Sequence, residues 1–163
     1  MTNSKWMLLA EDNLHDAELM LRALSANQFS QDVIVTRDGA EALDCLYGRG
    51  RFQGRDPGNP CVVLLDLNMP KVNGLEVLQR MRYDSRLKRI PVVLFTSTRE
   101  AANVLRSYDL GVNAFVVKPV DFKQFISVVQ ELKRFWMELN EPPPAPAQPD
   151  KNIFSPAPLS ATA

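Results

Sequence analysis

The stretch CVVLLDLNMP, residues 61–70, decides how the rest of the chain is read. Its first five residues are apolar without interruption, the pattern of a strand covered on both faces rather than one that shows a face to water. Such strands belong to parallel sheets flanked by helices. The run then stops on a carboxylate, Asp66. An open α/β sheet holds its ligand just outside the carboxyl ends of its strands, so the polar residue that ends a run is a candidate site residue.

Other runs repeat the form. Trp6 to Ala10 ends on Glu11 and Asp12; Pro91 to Phe95 ends on Thr96 and Ser97; Ala114 to Val117 ends on Lys118 and Pro119; Val33 to Val35 supplies a fifth strand. Between the runs, apolar residues recur at helical steps: Leu14, Ala17, Leu21 and Leu24; Ala40, Leu43 and Leu46; Leu75, Leu78 and Met81. A fourth helix is expected from Arg99 to Leu110, stopped by Gly111. A fifth is capped by Asp121 and carries a stripe of Phe122, Phe125, Ile126, Val129, Leu132, Trp136 and Leu139. Strand and helix alternate five times, which predicts a doubly wound parallel sheet with right-handed crossovers.

Composition bounds the class. With 163 residues, 45% of them hydrophobic, the chain is the size of one domain with a real core. Lys plus Arg and Asp plus Glu both number 19, so the net charge of zero leaves no electrostatic footprint for nucleic acid. Arg49, Arg51 and Arg55 fall in a Gly-rich stretch that reads as a solvated connection. No apolar run approaches the roughly 18 residues of a membrane span, and Met1 to Lys5 lack the apolar core of a signal peptide. Cys45 and Cys61 sit in apolar stretches without metal-ligand spacing and read as buried small hydrophobes, which fits the cytoplasm. The only histidine, His15, is expected on the surface of the first helix. From Glu141 the chain turns Pro-rich, so the expected division is a folded domain over 5–139 and a disordered tail over 140–163. Ile153 and Phe154 are the tail's one candidate docking peptide.

The strand ends carry the chemistry. Glu11, Asp12 and Asp66 converge at one edge, and two like charges about 4 Å apart repel by roughly 4 kcal/mol at an effective dielectric near 20. Three such carboxylates need a cation, and Mg²⁺, a hard ion that takes oxygen ligands, is the natural one. A hydroxyl, Thr96, and an ammonium, Lys118, stand across the same edge. Together these make a phosphoryl site: a carboxylate nucleophile, a metal, and two groups for the remaining oxygens.

On these residues the chain resembles the receiver domains of two-component response regulators, CheY-like proteins. The matching segments are Glu11-Asp12 in LLAEDN, Asp66 in LLDLNMP followed by Asn73-Gly74, Thr96 in LFTST, and Lys118-Pro119 in FVVKPV. The resemblance implies a flavodoxin-like fold with strand order 2-1-3-4-5 and makes Asp66 the phospho-acceptor. It implies that Asp12, Asp66 and the backbone carbonyl of Asn68 bind Mg²⁺, with Glu11 acting through a metal-bound water. Thr96 and Lys118 would hold phosphoryl oxygens, Phe115 would be the switch aromatic, and the Lys118–Pro119 bond would be cis. Glu11 departs from the commoner Asp, and Ser97, Asn68 and Thr98 fall where the family varies phosphoryl access and lifetime.

The stretch DGAEALDCLYGRGRF with its following loop, the segment RSYDLG and the ending KPVDFKQFISVVQELKRFW resemble the stand-alone receivers of bacterial phytochromes. That resemblance implies a phytochrome-like sensor histidine kinase as partner. It also implies a homodimer through the fourth helix, fifth strand and fifth helix, with Tyr108, Phe135 and Trp136 on the contact face. The expected function is a phosphoryl-accepting switch rather than an enzyme of turnover. Rival readings are a docking module indifferent to phosphorylation, a haloacid-dehalogenase-like phosphatase, in which Asn68 would replace the second acid, and a flavodoxin-like binder, whose phosphate Glu11 and Asp12 would repel.

Overall fold

A computed structural model of the chain describes residues 5–25, 32–55 and 58–145. The strands are β1 (Met7–Ala10), β2 (Val33–Thr36), β3 (Val62–Leu65), β4 (Val92–Thr96) and β5 (Ala114–Val117). The helices are α1 (Leu14–Ser25), α2 (Gly39–Tyr47), α3 (Gly74–Tyr83), α4 (Ala101–Asp109) and α5 (Phe122–Lys133). All strand pairs are parallel, in the order β2-β1-β3-β4-β5. This is the flavodoxin-like arrangement that the residues and the resemblance implied.

The apolar runs are continuous because both faces of the sheet are covered. Side chains alternate across a strand, so Met7, Leu9, Val62, Leu64, Val93 and Phe95 point to one layer, where Met20, Leu24, Phe125 and Val129 of α1 and α5 meet them. Leu8, Ala10, Val63, Leu65, Val92 and Leu94 point to the other, against Leu43, Leu75, Leu78 and Met81 of α2 and α3. Each fully buried Leu or Met contributes about 1.5–3 kcal/mol relative to exposure, so the central strands carry much of the core's stabilisation. Side chains cap α2, α3 and α5: Asp38 accepts from the Glu41 amide, Asn73 from that of Glu76, and Asp121 from that of Gln124.

Several expectations need correction. Leu14 and Phe122, assigned to the buried stripes of their helices, are 64% and 55% exposed. Each is the first residue of its helix, at the carboxyl end of the sheet, where no strand lies beneath it. Helix α4 is shorter than expected and buries only Ser107 of its own residues. The fifth helix runs regularly only to Lys133 and continues over Arg134–Leu139 as a wider π-type turn, so Leu139 ends exposed. The Lys118–Pro119 bond is trans, the form an X–Pro amide favours by about 0.5–1 kcal/mol. Glu141–Ala145, which the composition assigned to a disordered tail, line a cavity of about 240 Å³ with Lys5, Pro60, Cys61 and Ile90 at the amino ends of the strands. Residues 146–163, with Ile153 and Phe154, lie outside the described residues. Among the described residues no helix is long and apolar enough to cross a membrane.

Candidate functional site

The parallel ladders fix the site residues by running one step beyond the strands. The Glu11 amide donates to Thr36 O at 3.0 Å, the Asp66 amide to Ala10 O at 3.0 Å, and the Lys118 amide to Thr96 O at 2.8 Å. Each side chain therefore leaves from backbone as constrained as the sheet itself. The loop after Asp66 is held from below by a close approach. A Cβ on Gly74 would stand 2.3 Å from Asp66 O, and a Cβ on Gly39 would stand 1.9 Å from Val72 O, so only glycine lets α3 and α2 start where they do.

These backbones bring the predicted residues together. One carboxylate oxygen each from Glu11, Asp12 and Asp66 lies within 4.8 Å of the others. Glu11 and Asp66 are buried, while Asp12 is exposed and opens the group to solvent. The Lys118 ammonium, itself buried, donates to Glu11 Oε2 at 2.6 Å, Asp16 Oδ2 at 2.9 Å and Asp66 Oδ2 at 3.0 Å. Glu11 Oε1 accepts from the Asn13 amide at 3.0 Å, and Asp66 Oδ1 accepts from the Asn68 amide at 3.3 Å.

Three carboxylates share one ammonium, and Asp12 stands beside two of them. Burial, with repulsion from Asp66, pushes the Glu11 carboxyl up to about 7, although the Lys118 hydrogen bond pulls the other way. Burial also works against the charge on Lys118, but the bond to Glu11 and the charges of Asp66 and Glu11 outweigh it and hold the ammonium above the usual lysine range. The causes differ: burial dominates at Glu11, while the neighbouring carboxylates together dominate at Lys118. Clustered hard oxygen donors with one exposed member suit Mg²⁺.

Across from this group the Thr96 hydroxyl is fully buried and has no hydrogen-bond partner. Leaving such a group unsatisfied costs about 1–3 kcal/mol, which an oxygen-rich group bound beside it would recover. Phe115 on β5 is half-buried and registers with Leu94 on β4, two residues before Thr96, so aromatic and hydroxyl lie on adjacent strands.

The remaining predicted residues are dispersed. Asn68 is exposed at the site's edge, and His15 is exposed on α1. Tyr108 on α4 is exposed, Phe135 is exposed and Trp136 half-buried, and the last two rings meet edge-on at 4.9 Å. Arg49 and Arg51 pair with Asp44 and Glu41, which keeps their loop structural. Burial pushes the thiols of Cys45, half-buried, and Cys61, buried, up to about 11. Sequence reasoning missed Asp16. An acid in the first turn of a helix reads as a partner of the helix dipole, and only the fold brings it to Lys118.

Residues 7–130 match the model of the response regulator receiver domain. The chain is 36% identical over 134 residues to Response regulator Rcp1 of Synechocystis sp., a match covering 82% of this chain and 90% of that protein. The Mn²⁺-bound crystal structure of Rcp1 superposes with a TM-score of 0.79 at 35% identity, over 86% of this chain and 99% of that one. The phosphorylated cyanobacterial phytochrome response regulator RcpA gives a TM-score of 0.80 at 35% identity, with the same coverage. The bacteriophytochrome response regulator RtBRR is 56% identical with a TM-score of 0.67, over 86% of this chain and 84% of that one.

Proposed function

Because the chain belongs to the response regulator receiver domain family, we propose that Asp66 is its phospho-acceptor and that a phytochrome-like sensor histidine kinase is the donor. The observation that carries this reading is the position of Asp66. It is shared between the three-carboxylate group and the Lys118 ammonium, beside an unpartnered Thr96 hydroxyl. In the transfer, an Asp66 carboxylate oxygen forms a bond to phosphorus as the phosphorus–nitrogen bond of the kinase phosphohistidine breaks. The imidazole leaves with the electron pair and takes up a proton from water. Lys118 turns one of its donors from a carboxylate to a phosphoryl oxygen, and Thr96 gives its hydroxyl to another.

Glu11, Asp12 and Asp66, with the backbone carbonyl of Asn68, would hold Mg²⁺, which supplies neutralising charge when bound. RcpA and Rcp1 support the reading, as a phosphorylated phytochrome regulator and a Mn²⁺-binding one. Leu14 at the start of α1, Val120 in the β5–α5 loop and Phe122 at the start of α5, all exposed, would give the kinase an apolar surface around the acidic centre. The signal leaves through Thr96 and Phe115. As the hydroxyl is drawn to the phosphoryl group, the ring follows into the space beside it and the face of α4, β5 and α5 changes its preferred partner, a shift between existing states. A homodimer contact on that face would use Tyr108 of α4 with Phe135 and Trp136 of the turn that follows α5. The functional domain is residues 5–139, working in the cytoplasm.

The test is transfer from a histidine kinase core carrying radiolabelled phosphohistidine, with Mg²⁺. Label moves to the wild-type chain and stays on the kinase with Asp66→Asn; equal labelling of the variant refutes the assignment. A second arm runs sizing chromatography with and without phosphodonor, and an unchanged elution position refutes a phosphorylation-driven dimer.

A further inference from the structure

We propose that Asp16 is a positioning residue, the carboxylate that keeps Lys118 aimed at Asp66 once the metal and the phosphoryl group occupy its other partners; this rests on the receiver reading above. A lysine ammonium has three protons, and here three carboxylates take them: Glu11 at 2.6 Å, Asp16 at 2.9 Å and Asp66 at 3.0 Å. Two of those partners have a second commitment. Glu11 and Asp66 are members of the group whose oxygens lie within 4.8 Å of one another, and Asp16 is not. A divalent cation held by that group would draw charge from Glu11 and Asp66, and phosphorylation would make one Asp66 oxygen the bridging oxygen of an acyl phosphate. Asp16 loses nothing in either event.

The local structure suits the role. The Asp16 amide donates to Asn13 Oδ1 at 3.0 Å, and the Asn13 amide donates to Glu11 Oε1 at 3.0 Å, so the turn carrying Asp16 is tied to the strand end that carries Glu11. One residue on, Ala17 is buried and anchors the first turn of the helix. The Asp16 side chain is 26% exposed against 6% for Lys118 and 1% for Glu11, so it is the more solvent-facing of these two partners of the ammonium. Without it, the four-carbon stem of Lys118 lets the ammonium follow whichever carboxylate the metal leaves least engaged.

The experiment compares wild type, Asp16→Asn and Asp16→Glu. The ¹H–¹⁵N signal of the Lys118 ammonium is recorded with and without Mg²⁺, Mg²⁺ affinity is measured by calorimetry, and phosphorylation by acetyl phosphate is followed against donor concentration. In Asp16→Asn the ammonium signal survives without metal and broadens away when Mg²⁺ is added, whereas in wild type it persists. Maximal phosphorylation rate falls about tenfold, the lower range for one charge-assisted hydrogen bond, while half-saturating donor and Mg²⁺ affinity stay within about twofold. Asp16→Glu recovers most of the rate. Wild-type rate and ammonium signal in Asp16→Asn, or a rate loss matched by lost Mg²⁺ affinity, overturns the assignment. Failure of the wild type itself to label refutes the receiver reading instead, and the ammonium signal still decides the role of Asp16.

Discussion

Replacing Lys118 by Met removes the ammonium that pairs with Glu11, Asp16 and Asp66 and keeps the aliphatic stem, so its cost is electrostatic. Breaking a buried pair by removing one partner costs about 3–5 kcal/mol. Glu11, 1% exposed, is the group left uncompensated, and it can escape by protonating. From its ordinary value of 4.5, the price of that escape is about 1.4 kcal/mol per pH unit: near 1.4 kcal/mol at pH 5.5 and near 5 kcal/mol at pH 8. The sign follows from the raised folded value. The contribution of Glu11 is fully present below pH 4.5 and is lost as pH rises through about 7, more steeply in the variant than in wild type. Wild-type Glu11, with its folded value near 7, already carries this proton at pH 5.5, so the variant's extra cost is small there and grows above pH 7: urea unfolding without divalent cations gives a destabilisation of about 1.5 kcal/mol at pH 8, a fall in Tm of about 5 °C, and little change at pH 5.5. Millimolar Mg²⁺ recovers part of the loss at pH 8. An equal loss at both pH values would place the role of Lys118 in packing and refute the electrostatic argument.

Mg²⁺ competes with a proton at Glu11, so its affinity in calorimetry rises as pH increases toward about 7 and levels off above it; a flat profile from pH 5.5 to 8 contradicts the shift. Gly74→Ala puts a methyl group 2.3 Å from Asp66 O, and unfolding should show a loss of about 2 kcal/mol or more with slower phosphorylation by acetyl phosphate. With thiols raised to about 11, Cys45 and Cys61 are about one part in a thousand thiolate at pH 8, so the folded protein reacts with iodoacetamide far more slowly than the urea-unfolded chain.

The sheet was legible because its physics is local and periodic. CVVLL can be buried on both faces in one way, and the same reading placed Glu11, Asp66, Thr96 and Lys118 at strand ends without any knowledge of side-chain contacts. Helix ends were harder. Leu14 and Phe122 keep helical spacing, yet periodicity cannot tell that the sheet stops beneath the first turn. Asp16 was invisible for a related reason: its bond to Lys118 spans 102 residues, and nothing along the helix distinguishes it from any acid in a first turn. The π-type turn over Arg134–Leu139 has no pattern of its own, because Phe135 and Trp136 continue the apolar stripe whichever way the backbone winds.

Incubation with acetyl phosphate and Mg²⁺, followed by mass spectrometry of the intact chain and its peptides, reaches the central claim most directly. The account predicts the mass of one phosphoryl group on the peptide holding Asp66, lost on treatment with hydroxylamine and absent without Mg²⁺ or with Asp66→Asn. The same added mass in Asp66→Asn, or on a peptide that lacks Asp66, contradicts it.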